Sequence, residues 1–173
     1  MTNFAVVING VPGSGKTTLC SSLQRELGVP LISKDAVKEA LADLVVAQLP
    51  TSDLGAVASE VLWKLAGLIS GPVIVESFWL AGRDDAFFAD GLRAGGVQDG
   101  VEVWCHAPVG VMRKRFQERP RHFAHQDSGR LSEWEVFARD ARPISTFPLL
   151  RVQTGTPVDI EKLAETIRPR MMR

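Results

Sequence analysis

The chain of 173 residues balances 20 Lys and Arg against 20 Asp and Glu, for a formal net charge of zero, with 45% hydrophobic and 23% charged residues. That balance is ordinary for a globular protein and excludes a strong global attraction to nucleic acid or to an anionic membrane. The length suits one well-cored domain, expected to span 1–173, and no apolar run approaches the ~18 residues that a membrane span needs.

From the N-terminus, Phe4-Ala5-Val6-Val7-Ile8 reads as a buried strand, and the stretch Gly10 to Thr18, GVPGSGKTT, follows it directly. That stretch fits G-x-x-x-x-G-K-[ST], the phosphate-binding P-loop. Thr18 to Leu27 reads as a helix with Leu19, Leu23 and Leu27 on one stripe. Pro30 to Ser33 is a second strand, and Ala36 to about Ala47 a helix. Pro50-Thr51-Ser52 breaks that helix, with Ser52 or Asp53 as the cap of the next. That next helix runs to about Ser70 on an apolar stripe and stops at Gly71-Pro72. Val73-Ile74-Val75 is a third strand, Asp84 to Ala94 a helix, Val101 to His106 a fourth strand and Pro108 to Glu118 a helix. Arg119 to Gly129 has little periodicity and reads as a loop. Ser132-Glu133-Trp134-Glu135 opens a short helix with capping chemistry. Leu149 to Val152 is a fifth strand and Asp159 to Arg168 the last helix.

Five alternations of strand and helix predict an α/β fold, a parallel five-stranded sheet covered by helices on both faces. Ligands of such sheets bind beyond the carboxyl ends of the strands. The candidate residues fall there: Gly10 follows strand one, Lys34 and Asp35 strand two, Glu76 strand three, and His106 closes strand four. In the loop, glycines let backbone N–H groups curl around phosphate oxygens, and the helix N-terminus adds positive charge. Lys16 is expected to reach the β- and γ-phosphates of a nucleotide and the Thr17 hydroxyl to complete a Mg²⁺ shell.

Asp35 places a carboxylate where a phosphoryl acceptor would enter, able to orient a hydroxyl and take its proton. A plain helix cap is the alternative, and the two roles are compatible. Glu76 could hold Mg²⁺ through a water or contact a substrate hydroxyl. Between Val111 and Arg130 the chain carries Arg113, Lys114, Arg115, Arg119, Arg121 and Arg130 against only Glu118 and Asp127. Arginines on a loop closing over the site at about 119–131 can neutralise a transferring phosphoryl group and exclude water, with Arg119 foremost and Arg115 and Arg121 beside it. His122 and His125 have no ligand-spaced Cys or carboxylate neighbours and are assigned to substrate or solvent without a choice between them. Trp63, Phe78 and Trp79 could wall a substrate pocket or fill the core. Cys20 and Cys105 read as buried apolar residues, and a soluble, reduced, cytoplasmic protein is expected.

With these residues assembled, the chain resembles the small P-loop kinases that phosphorylate hydroxyl groups. These are the polynucleotide 5′-hydroxyl kinases, the chloramphenicol phosphotransferases and the zeta-toxin type of sugar-nucleotide kinase, a group of AAA-type ATP-binding proteins. The resemblance implies a three-layer α/β/α, nucleoside-kinase-like P-loop fold. It implies ATP and Mg²⁺ at Gly10, Pro12, Gly13, Ser14, Gly15, Lys16, Thr17 and Thr18, with Arg115, Arg119 and Thr156 bordering the nucleotide. It implies Asp35 as general base, with Lys38 in place of the substrate-contacting Arg of the polynucleotide kinases, and Arg119 as the lid arginine.

The leading expectation is an ATP-dependent phosphotransferase acting on the hydroxyl of a metabolite or antibiotic. Lys16, Asp35 and Arg119 would be catalytic, and Asp35, Lys38, Glu76 and Arg121 would face the substrate. Neutral charge argues against a polynucleotide acceptor. An ATPase or nucleotide switch acting on a protein partner would hydrolyse ATP without an acceptor, and no obvious water-positioning residue stands near a switch segment; a nucleotide-binding module without catalysis would not need the acceptor-side acid.

Overall fold

The computed structural model describes residues 4–45, 49–120, 122–125 and 131–172. Five parallel strands form one sheet in the order β2-β3-β1-β4-β5. They are β1 (Phe4–Asn9), β2 (Leu31–Ser33), β3 (Val73–Glu76), β4 (Asp99–His106) and β5 (Leu149–Gln153). The central strand β1 pairs with β3 on one side, Ile8 opposite Glu76, and with β4 on the other, Ile8 opposite Val103. The helices are α1 (Lys16–Leu27), α2 (Lys34–Leu44), α3 (Thr51–Leu68), α4 (Asp85–Ala94), α5 (Val109–Glu118), α6 (Leu131–Asp140) and α7 (Ile160–Met171).

The unbroken apolar run of β1 is what a strand covered on both faces requires. Its side chains alternate between two cores. Val6 and Ile8 pack with Leu19, Cys20 and Leu23 of α1 and with Leu163, Ala164 and Ile167 of α7. Ala5 and Val7 pack on the opposite face with Leu62, Trp63 and Ala66 of α3 and Phe88 of α4. These three layers are the expected α/β/α arrangement. Trp63 belongs to this second core, edge-on to Phe88, and not to a pocket wall.

Helix starts differ from the sequence expectation where a cap was misjudged. The side chain of Ser33, not Asp35, caps α2 by accepting from Ala36 N, which leaves the Asp35 carboxylate free for other partners. Helix α3 starts at Thr51 behind Pro50, so Ser52 and Asp53 lie inside its first turn. Helix α6 starts at Leu131, one residue ahead of the Ser132 expected to cap it. For α2 and α3 an alternative starter lay one or two residues upstream, and proline's fixed φ suits the entry to α3.

A buried acid holds the root of the phosphate-binding loop. Glu102 of β4 is 1% exposed. Its carboxylate accepts from Asn9 Nδ2 (3.0 Å), Ile144 N (3.1 Å) and Ser145 N (2.7 Å). Asn9 in turn donates to Trp79 O and accepts from Trp79 N and Gly10 N. Glu102→Leu strips the partner from one buried and two part-buried donors and is expected to cost about 3 kcal/mol of unfolding free energy in urea titration. A variant as stable as the parent would mean that these donors find other acceptors.

Candidate active site

The carboxyl ends of β1, β2 and β3 open into a cleft of about 810 Å³. The Val11–Ser14 turn closes on itself through Ser14 N to Val11 O (2.9 Å), and α1 starts at Lys16. Gly15, which caps that helix, has φ 84, and a β-carbon there would lie 3.1 Å from the Thr154 side chain. Pro12, Gly13, Gly15, Lys16, Thr17 and Thr18 line the cleft, whereas Gly10 and Ser14 are packed behind the loop. Lys16 folds over the loop, its ammonium donating to Gly10 O at 2.7 Å.

The loop is braced by residues that have no motif. Trp134 of α6 donates its indole N–H to Pro12 O (2.8 Å) and stacks on Phe116 of α5. The Thr154 hydroxyl, just past β5, lies within hydrogen-bond reach of Ser14 O and His106 O. Thr154 could have been found from its place after a strand end. No local signal marks Trp134.

Arg115 of α5 donates through Nη2 to Thr154 O (3.1 Å). Its Nη1 and the Ser14 hydroxyl are buried without a protein partner among the described residues. Buried donors of this kind at a glycine loop fit phosphate oxygens. Arg115 also borders a second cavity of about 470 Å³, walled by Thr18, Gly155, Thr156 and Pro157. Thr156 lines that groove, and Asp35 does not.

Asp35, Lys38, Glu76, Phe78, Trp79, Arg119 and His125 also line the cleft. Asp35, in the first turn of α2, meets Arg119 Nη2 at 3.4 Å. Burial favours its neutral form, but His125, Lys16 and Arg119 outweigh burial and hold it below the usual carboxylate range. Glu76 shifts the other way. Burial raises it, while Lys16 and a 2.6 Å hydrogen bond from Ser33 Oγ oppose only part of the shift. Two carboxylates in one cleft thus shift in opposite directions, Asp35 down through its cationic neighbours and Glu76 up through burial.

Lys38 is buried and donates to Thr51 Oγ1, so its ammonium is engaged at the cleft wall. Phe78 and Trp79 do wall the cleft, with Phe87 beside them. Arg121 lies outside the described residues, as does the 126–130 part of the expected closing loop. The two histidines differ from expectation. Each has a carboxylate partner supplied from α2, Asp43 for His122 and Glu39 for His125. Spacing along the chain could not reveal partners some eighty residues away. Among the described residues, no cluster of three metal-ligating side chains occurs, and no helix is long and apolar enough to cross a membrane.

Residues 6–144 match the AAA domain family. The chain belongs to that family. The assignment agrees with the resemblance to small P-loop kinases, and relatives of this AAA domain carry kinase names. A shikimate kinase of Cereibacter sphaeroides is 32% identical over 118 residues, 66% of this chain and 56% of its own length. The chain therefore spans little more than half of that relative. A candidate kinase from Chloroflexus aurantiacus superposes with a TM-score of 0.85 at 26% identity, covering 98% of this chain and 99% of the other. The APS kinase of Mycobacterium tuberculosis, solved with AMPPNP and APS, shares the fold at a TM-score of 0.61 and 20% identity, covering 99% and 98%.

Proposed function

We propose that the chain is a phosphotransferase that moves the γ-phosphoryl group of MgATP to a hydroxyl of a small molecule. The observation that carries this reading is the convergence of a P-loop lysine, Lys16, with Asp35, Glu76 and Arg119 on one cleft. An ATPase would have no use for the acceptor-side carboxylate. A cleft of about 810 Å³ with an aromatic wall lies in the size range of small-molecule sites. The relatives named for shikimate and APS support the same class of acceptor.

In this reading the acceptor oxygen bonds to the γ-phosphorus as the bond to the β–γ bridging oxygen breaks. The electron pair leaves with ADP, and the hydroxyl proton passes to Asp35. Asp35, held ionised, is a weak base suited to orienting the hydroxyl and taking its proton late, when the forming bond has made that proton acidic. Lys16 leaves the Gly10 carbonyl to meet the β- and γ-phosphates. Arg119 turns from Asp35 toward the transferring group, and Arg115 braces the loop from the nucleotide side. Thr17 and, through water, Glu76 would hold Mg²⁺, which supplies charge neutralisation on the phosphates. The proposed lid spans about 119–131.

The test is MgATP turnover with a pooled panel of hydroxyl-bearing metabolites, antibiotics and 5′-hydroxyl oligonucleotides, with product masses read for an added phosphoryl group. A phosphorylated small molecule is expected. A phosphorylated oligonucleotide would move the assignment to a polynucleotide kinase. ATP loss without a phosphorylated product would move it to an ATPase.

A further inference from the structure

The carboxylates Asp35, Glu39 and Asp43 recur every four residues along α2, which places them on one helical face. Each meets one side chain from the segment that follows α5. Arg119 Nη2 lies 3.4 Å from Asp35, His125 Nε2 2.9 Å from Glu39, and His122 Nε2 3.1 Å from Asp43. The rungs run from the reaction centre outward. The inner histidine is the more enclosed, with its side chain 8% exposed against 24% for His122.

Three further contacts seat the same segment. Ala124 is buried with Ala42 of α2 and Leu54 of α3. Thr51 Oγ1 donates to Ala124 O at 2.7 Å. Ala124 N donates to His122 Nδ1 at 3.2 Å, so the ring carries its proton on Nε2 and donates it to Asp43 without needing a net charge. None of these contacts involves the reaction itself. Their common effect is to fix the chain beyond Arg119 against the helix that bears Asp35.

We infer that His125 and His122, through Glu39 and Asp43, are positioning residues for phosphoryl transfer: they anchor the segment that places Arg119 over Asp35. When Arg119 exchanges Asp35 for the transferring phosphoryl group, the two outer rungs keep its backbone in place. The arginine then has only its side chain to reorient, and a displacement of even an ångström can cost about 100-fold in rate. The inference rests on the phosphotransferase reading.

The test compares the parent with Glu39→Lys, His125→Glu, the reversed pair Glu39→His with His125→Glu, and the solvent-facing Asp43→Lys. Three quantities are read: amide exchange of His122–His125, MgAMPPNP affinity, and the transfer rate at saturating MgATP. The acceptor is the one found by mass, or water if none is found. Both inner single variants are expected to speed amide exchange and slow transfer about 10- to 100-fold, with MgAMPPNP affinity within about twofold. Asp43→Lys should do the same to a smaller degree without risk to the core. The reversed pair should restore both exchange protection and rate.

Loss of protection with an unchanged rate would overturn the positioning role. So would a rate that the reversed pair fails to recover while protection returns, since His125 would then contact substrate directly. A parent that transfers no phosphoryl group to any acceptor or to water, with its segment protected, would overturn the enzyme reading and the positioning role together, leaving the rungs as fold contacts.

Discussion

Asp35→Asn is expected to slow phosphoryl transfer by about 10²- to 10⁴-fold while MgAMPPNP still binds within about twofold. The amide keeps the size and the place on α2 but cannot take a proton. Because Ser33 supplies the helix cap, Asn at this position costs α2 little, and a loss of rate would report on chemistry and not on folding. The same environment sets a pH dependence. Burial opposes ionisation of Asp35, but His125, Lys16 and Arg119 prevail and depress its pKa. Its ionised form therefore persists below the ordinary aspartate value of about 3.9. The acid limb of kcat/KM that belongs to Asp35 should fall below that value, and Arg119→Met should move it up. The contribution of these charges to stability has the same sign. It is complete above the unfolded value and is lost as pH falls through the lower folded one. Kinetics on the acceptor, together with isothermal titration of MgAMPPNP, check all of this. Transfer by Asp35→Asn near the parent rate would remove the general-base role and leave Asp35 as an electrostatic partner of Arg119.

The fold was legible in the sequence because most sheet strands carry a short apolar run and helical patterns separate them. Phe4 to Ile8 and Val73 to Val75 are covered on both faces and show no alternation, only length and bounding glycines, and both were placed to within a residue. The nucleotide half of the cleft was legible for a different reason. A glycine loop that must wrap phosphate leaves little freedom in spacing, so a local pattern suffices. The side proposed for the acceptor obeys no such local rule. Ser33 reaches Glu76 on the adjacent strand, and Glu39 and Asp43 reach His125 and His122 some eighty residues along the chain. Such pairs are created by packing, and a sequence shows their members only as unremarked polar residues on a helix or a loop. Asn9 and Glu102 illustrate the point from the core. Both interrupt apolar strands, the one signal available, but that they join the P-loop to Trp79 and to the turn at Ile144 is a property of the folded sheet.

The other large effect is expected at Gly13. This residue has φ 89, and a β-carbon built on it would lie 2.3 Å from Met112 O and 3.3 Å from Phe116 N, both backbone atoms of α5. Neither a rotamer change nor a small shift can relieve a contact with a helix backbone. Gly13→Ala must therefore either open the P-loop or push α5 outward, and left-handed strain adds to the cost. Helix α5 carries Arg115 one turn on and is followed directly by Arg119, so both arginines move with it. The variant is expected to weaken MgAMPPNP binding by up to about 100-fold, near the upper end of the roughly 1–3 kcal/mol typical of such strain and overpacking. Unfolding should stay cooperative, because the two sheet cores do not include this contact. Gly110→Ala, in the same helix with open space around its built β-carbon, supplies the control. It should leave nucleotide affinity unchanged and stabilise α5 by up to about 1 kcal/mol through helix propensity. If both variants bound MgAMPPNP as the parent does, the close approach of α5 to the loop would not be part of the nucleotide site. Arg115 would then have to reach its ligand from a helix free to move.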